Sequence, residues 1–243
     1  MQDGNEGRQS AHLSILEFIR EHRKPIYATA AVLAAVMVAS VATLIIVDFT
    51  RGRAIEAVEE LAARRDAIPE NGGEAELDVL VGDIRAFAAR RSGYSGSRAW
   101  SMLASIYGGR GEWAEAEAAW LSAAGAAPKS HLAPIAFFNA AAAAEEQGRA
   151  DDAIDFYRRS ISAPSGFFAA PRAQFSIGRL HESLGDEDSA IRAYRELAVK
   201  WPYDVEWGNL ARSRIIALET ADSRLDGTVF RESTFDFPFA ENG

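Results

Sequence analysis

Three aspartates lie close together in the stretch GRADDAIDFY, namely Asp151, Asp152 and Asp155. Clustered carboxylates can hold a divalent cation, or can act as general acid and base, so this is the first place to look for chemistry. The alternative is structural, because acidic residues in the first turn of a helix stabilise it through the helix dipole. The elements around these residues decide between the two interpretations.

The other residue types give no further reason to expect an enzyme. The four histidines, His12, His22, His131 and His181, are far apart and lack the paired spacing of a metal site. The chain contains no Cys, which excludes thiolate nucleophiles, disulfides and Cys-ligated zinc. Motifs for phosphate-binding loops, serine hydrolases and zinc proteases are also absent. We therefore expect no catalytic residue, no metal and no cofactor.

An uncharged apolar stretch runs from Pro25 to Val47 near the start of the chain. As a helix it would be roughly 34 Å long, enough to cross the hydrocarbon core of a membrane. Positive residues are slightly denser before it than after it, which predicts a cytoplasmic tail at 1–24 and an exported remainder. The alternative is a signal peptide cleaved after Ser40–Ala42. The long acidic N-terminal region and the apolar run that continues beyond this site argue against cleavage.

One pattern recurs three times after this span: a Gly, an Ala five residues later, and a large aromatic residue four residues after that. The glycines are Gly111, Gly148 and Gly185, separated by 37 residues in both cases. Such a period indicates stacked helical hairpins rather than a catalytic loop. Each glycine should end the first helix of a hairpin in a left-handed conformation, and the acidic residues that follow should begin the second helix.

The first copy resembles the tetratricopeptide repeat. Its matching residues are Trp100, Leu103, Ala104, Tyr107, Ala116, Trp120, Ala123 and Pro128, with Ala104 in place of a Gly. The other copies depart from the pattern at aromatic positions, which hold Ala144, Gln174 and His181. The resemblance implies an α-solenoid of about three repeats at 97–218, in which small residues let paired helices cross closely and aromatic residues pack against the next repeat.

The remaining segments complete the predicted domain organisation. Residues 48–91 should form a linking helix and a capping half-repeat, which the RSGYSGS stretch at residues 91–97 closes. Residues 206–220 should form the opposite cap, with an apolar side made of Leu210, Ile215, Ile216 and Leu218. The tail, 219–243, has a disordered composition, although its FDFPF segment at 235–239 also suits docking in a groove. No stretch alternates like a strand, so the predicted fold class is all-α.

Repeat arrays of this kind commonly bind partners on a concave face, which the first helix of each hairpin lines. The repeat register places five candidate residues there: Arg98, Phe138, Arg172, Phe175 and Arg179. An aromatic and mildly basic groove suits an extended peptide with apolar and acidic side chains. The alternative for each of these residues is ordinary packing between repeats.

The layout of tail, single membrane helix and small repeat array resembles the bacterial ancillary SecYEG translocon subunit (YfgM-like) family. The resemblance implies an inner-membrane protein whose periplasmic domain binds the translocon, periplasmic chaperones or emerging substrates. A formal net charge of -9 argues against nucleic acid as a partner, and no motif points to a small-molecule substrate. The alternative function is an adaptor between the inner membrane and cell-wall or outer-membrane machinery.

Overall fold

The computed structural model describes residues 22–69, 73–163 and 166–225, and within these ranges every regular element is a helix, which confirms the all-α prediction. The order is α1 (Arg23–Ala67), α2 (Glu74–Ala88), α3 (Gly93–Gly109), α4 (Trp113–Ala126), α5 (Leu132–Glu146), α6 (Ala150–Ile161), α7 (Ala170–Ser183), α8 (Glu187–Lys200) and α9 (Val205–Leu225). The chain divides into two compact units, with the second starting at Val58.

The first unit contains the apolar part of α1. A window of 18 residues in this helix has a mean hydropathy of 2.7 and is not buried, so α1 is the one described helix that could cross a membrane by length and composition. Its hydroxyl groups are paired within the helix, since Ser40 and Thr43 donate to the carbonyls of Val36 and Ala39 over 2.8 Å. Such pairing removes the cost of an unsatisfied hydroxyl in hydrocarbon.

The second unit begins in the last part of α1. Val58, Leu61 and Ala62 are buried in one cluster with Leu80 and Ile84 of α2 and with residues of α3 and α4. The three α1 residues are spaced by three and one positions, so they lie on a single side of the helix. The last part of α1 and α2 therefore cover the apolar side of the first hairpin.

Three consecutive hairpins follow, α3/α4, α5/α6 and α7/α8. Each first helix ends at a glycine with positive φ, which is 75° at Gly111, 70° at Gly148 and 74° at Gly185. In the second hairpin the Gly148 and Arg149 N–H groups donate to the carbonyls of Glu145 and Ala144 over 2.8 and 3.0 Å. The other two turns repeat these bonds, so all three are Schellman caps and the predicted turns are confirmed.

The aspartates of GRADDAIDFY occupy the start of α6. Asp151 and Asp152 lie in its first turn, and Asp152 accepts a hydrogen bond from Arg149 over 2.5 Å. In the third hairpin an acidic residue also lies at the start of the second helix, where the Asp186 carboxylate caps α8 by accepting from the Ser189 N–H over 3.0 Å. Asp151 and Asp152 therefore lie at a helix start, where the structural interpretation places them.

The hairpins are packed through small residues inside each pair and aromatic residues between pairs. The buried small residues at the crossings are Ala104 and Ala116, Ala141 and Ala153, and Gly178 and Ala190. Between pairs, Tyr157 shares a cluster with Ala173 and Ile177 of the next hairpin. Trp120 and Tyr194 pack onto the following helix in the same way, as predicted.

The RSGYSGS stretch, predicted to close the helix before it, also forms the start of the next one, because α3 begins at Gly93 and continues through this stretch. Ser95, Gly96 and Ser97 are buried there. A Cβ on Gly96 would overlap the Arg91 carbonyl and would lie 3.5 Å from the Cβ of Ala126. The small residues thus serve close packing rather than a turn.

The last helix also differs from its prediction. It continues to Leu225, beyond the predicted end at residue 220, and Leu210 and Ile216 are 44% and 64% exposed. The side that faces α8 instead carries Trp207, Ala211, Ile215 and Leu218. These four are spaced by four, four and three residues, which keeps them on one stripe of the helix. Pro164 and the FDFPF segment lie outside the described residues.

Candidate functional site

The residues predicted for the groove all lie on first helices of the hairpins. Arg98 is on α3, Phe138 is on α5, and Arg172, Phe175 and Arg179 are on α7. We call the surface formed by α3, α5 and α7 the first-helix face. Phe138 and Arg172 contact each other, whereas Arg98 and Arg179 form ion pairs with glutamates of the array.

Phe138 is half-buried where the second hairpin meets the third. Its ring centroid lies 5.2 Å from that of Tyr157, edge to face, and 5.5 Å from that of Phe167. The exposed Arg172 places its guanidinium carbon 5.3 Å from the Phe138 centroid, a cation–π contact between α7 and α5. Phe138 and Arg172 therefore form one aromatic and cationic pair on the first-helix face.

Phe175 repeats this arrangement one hairpin later. Its ring centroid lies 5.2 Å from that of Tyr194 and 5.4 Å from that of Trp207 on α9. Both phenylalanines thus stack between the second helix of their own hairpin and the segment that follows. A substitution at either position would alter packing as well as the surface.

The other two arginines are paired with carboxylates. The Arg98 Nε lies 3.7 Å from a Glu59 carboxylate oxygen, which joins α3 to α1, and Arg179 pairs with Glu145 of α5. Arg172 is the one arginine of the three without a carboxylate partner in the described part of the chain. It is therefore the cation of this face that is most open to an external acidic group.

A repeated set of three side chains joins neighbouring hairpins, and the sequence reasoning missed it. Glu145 accepts a hydrogen bond from the Tyr157 hydroxyl over 2.7 Å and is paired with Arg179 of the next hairpin. We call this set a Tyr–Glu–Arg bridge. A second bridge joins Tyr194, Glu182 and Arg214, where the Arg214 Nε donates over 3.0 Å. The signal in the sequence was the shared 37-residue spacing of the tyrosines and of the glutamates.

The environment of each bridge holds the tyrosines protonated. Burial raises the pKa of Tyr157 and Tyr194 well above the ordinary value, and the hydrogen bond to a carboxylate raises it further. At Glu182 burial opposes ionisation, but hydrogen bonds from Arg214 and Tyr194 outweigh it, so the carboxyl pKa is lowered. The second bridge therefore consists of a neutral donor, an ionised carboxylate and a charged guanidinium at neutral pH.

We expect Glu145→Ala to lower the free energy of unfolding by about 2 kcal/mol, because it leaves the buried Tyr157 hydroxyl without its acceptor and Arg179 without its partner. Urea unfolding of the full chain in detergent micelles measures this change. The control is Glu146→Ala, which truncates the exposed neighbour on the same helix. Equal destabilisation by the two variants would contradict a role of the bridge in stability.

Comparisons with known proteins agree with this architecture. A family model described as "Tetratricopeptide repeat" matches residues 101–166 and 168–205. A "TPR repeat-containing protein" of Treponema pallidum (strain Nichols) is 30% identical over 226 residues, which cover 85% of this chain and 94% of that protein.

Similar solved structures include two repeat proteins. The Sgt2 TPR domain from Aspergillus fumigatus is 15% identical with a TM-score of 0.44, over 62% of this chain and 95% of that one. A thermophilic TPR protein of Thermus thermophilus is also 15% identical, with a TM-score of 0.39, over 69% of this chain and 93% of that one.

Proposed function

This chain belongs to the tetratricopeptide-repeat family, and we propose that it is a membrane-anchored, non-catalytic scaffold that binds other proteins. Repeats of this family generally mediate protein–protein interactions. The observation that carries the anchoring proposal is the continuous helix α1, which contains an apolar stretch of membrane-spanning length and ends within the core of the repeat unit.

The first-helix face is the proposed binding surface. Arg172 is exposed, lies over the ring of Phe138 and has no carboxylate partner among the described residues. A guanidinium held beside a partly exposed ring can pair with an acidic side chain while the ring contacts a neighbouring apolar one. These contacts support an extended peptide with an acidic and an apolar residue as the ligand.

The proposed location is the bacterial inner membrane, with a cytoplasmic N-terminus and a periplasmic repeat domain. Arg20, Arg23 and Lys24 precede the apolar stretch closely, whereas Arg51 and Arg53 follow it. This asymmetry favours retention of the N-terminal side in the cytoplasm. The proposed partners are translocon subunits, periplasmic chaperones or emerging substrates, as the resemblance to the translocon-subunit family implies.

Site-specific photo-crosslinking in intact cells tests the proposal. We expect a crosslinker at Arg172 to capture translocon or chaperone subunits, and a matched crosslinker at the exposed Asp155 on α6 to capture them much less. Recovery of cell-wall or outer-membrane components alone would favour the adaptor function instead. Equal capture from the two positions would reject the first-helix face as the binding surface.

A further inference from the structure

A cleft of about 440 Å³ opens between the second helices of the last two hairpins, α6 and α8, with α7 beneath them. Its lining is largely polar and includes Arg158, Gln174, His181, Ser189, Arg192 and Lys200. None of the five residues predicted for the first-helix face lines it. The cleft is therefore a separate feature of the array.

The repeat register explains why this cleft is open. One repeat earlier, the positions of Gln174 and Ala193 hold Phe137 and Phe156. There the Arg159 guanidinium carbon lies 4.1 Å from the Phe137 centroid and 5.8 Å from that of Phe156, so rings and a cation occupy the space between the helices. In the later repeat, an amide and a methyl group replace the two rings and leave room for a ligand.

Gln174 also helps to keep the cleft open. Its side-chain nitrogen donates to the Ala193 carbonyl over 3.1 Å and to a Glu196 carboxylate oxygen over 3.2 Å. These bonds hold the amide against the wall formed by α8 and satisfy a side chain that is itself buried. The space is thus a structured cleft with a fixed polar wall.

Positive charge at the cleft rim also departs from the earlier repeat. Arg158, Arg192 and Lys200 occupy the positions that correspond to Leu121, Asp155 and Ala163 one repeat before. Lys200 pairs with Glu196 over 2.8 Å. The two arginines have no carboxylate partner in the part of the chain that the structure describes, although Arg192 donates to the Ser189 hydroxyl over 2.7 Å. Two guanidinium groups are therefore available to an anion.

His181, on α7, lines the same cleft as these arginines. Burial lowers its pKa, and the charges of Arg158 on α6 and Arg192 on α8 lower it further, against the opposing effect of Asp186 and Asp151. The imidazole is therefore uncharged at neutral pH. The positive charge on this part of the cleft consequently comes from the arginines.

We propose that this cleft binds the carboxylate side chains of an acidic segment in a partner protein. Two unpaired arginines present planar donor groups that match carboxylates, and the apolar side chains of Ile161, Ile177 and Ala193 can cover the methylene groups of a glutamate. The chain as a whole has a net charge of -9 and repels an acidic segment, so such a segment is attracted to this basic cleft rather than to the rest of the surface. This inference rests on the proposed function only in taking a protein as the ligand.

Fluorescence anisotropy with the full chain in detergent micelles tests the cleft. The probe is a fluorescein-labelled Gly-Ser peptide that carries four glutamates, compared with the same peptide carrying four glutamines. We expect the glutamate peptide to bind and the glutamine peptide not to bind. The double substitution Arg158→Ala/Arg192→Ala should weaken binding of the glutamate peptide by at least about tenfold. The matched control is Arg159→Ala, next to the cleft on α6, whereas Arg172→Ala reports binding of the probe at the first-helix face.

A second variant keeps the test independent of arginine removal. Gln174→Phe/Ala193→Phe restores the two rings of the earlier repeat, so it should fill the cleft, abolish binding and preserve helicity measured by circular dichroism. Absence of glutamate-peptide binding, or unchanged binding by both cleft variants, overturns the inference. Loss of binding in Arg172→Ala alone also overturns it, while supporting the first-helix face. Displacement of the peptide by millimolar inorganic phosphate would overturn the choice of carboxylate over phosphate.

Discussion

Tyr194→Ala should lower the free energy of unfolding of the third hairpin by about 3–5 kcal/mol, the cost typical of removing a large buried ring. The Tyr194 side chain is 0% exposed and shares a cluster with Leu197, Ala211 and Ile215. Its hydroxyl also donates to Glu182 over 2.5 Å, so truncation removes one member of a Tyr–Glu–Arg bridge. The substitution therefore creates a cavity and leaves a carboxylate short of a donor.

The matched control for this prediction is Tyr203→Ala. Tyr203 lies nine residues further along the chain and is 90% exposed, so its removal should change stability by less than about 0.5 kcal/mol. Hydrogen exchange of the full chain in micelles should show faster exchange in α7, α8 and α9 of the Tyr194 variant. The effect should be weaker in α3 and α4, because each repeat in such an array is stabilised mainly by contacts with its immediate neighbours. Uniform destabilisation of all hairpins would contradict this expectation.

The same substitution, Gly to Ala, should have opposite effects at two helical positions. At Gly178 a Cβ would lie 2.7 Å from Cδ1 and Cζ of the buried Tyr194 ring, so Gly178→Ala should destabilise the protein by about 1–3 kcal/mol. At Gly82, on the exposed side of α2, no such atom lies within 4 Å, and Gly82→Ala should stabilise by about 0.5–1 kcal/mol. Close packing decides the sign at the first position and helix propensity at the second.

Urea unfolding of the two single variants and the parent chain measures these effects under one set of conditions. Hydrogen exchange then shows which helices are affected. Exchange should change in α7 and α8 of the Gly178 variant and in α2 of the Gly82 variant. A stabilising Gly178→Ala would show that α7 and α8 can move apart without cost. It would also remove the physical reason for a small residue at this crossing.

Much of the fold could be predicted because its signals are local. Gly148 needs a positive φ, Asp151 and Asp152 favour the first turn of a helix, and Pro128 cannot continue one. Each preference acts over a few residues, so the turns and most helices were recognised from the pattern alone. The 37-residue period then indicated that these local units stack.

The points that the sequence left undecided concern residues whose role depends on distant neighbours. The Ser and Gly residues at 93–97 have a composition that also suits a loop, yet they are helical because α3 packs closely against its surroundings. Leu210 and Ile216 are apolar, yet the side of α9 that faces α8 is the one with Ala211 and Ile215. Apolar content alone does not determine which stripe of a helix is covered.

The sequence by itself determined the helical class, the repeat period, the capped turns and an apolar stretch of membrane-spanning length. Only the tertiary structure decided which side chains meet across repeats: Arg179 pairs with Glu145, Arg172 lies over Phe138, and Phe175 stacks on Trp207. It also decided that the space at Gln174 remains open, whereas the equivalent space one repeat earlier is filled by rings. Backbone preferences are set within a few residues, but these contacts join side chains about one repeat apart and depend on how whole helices are superposed.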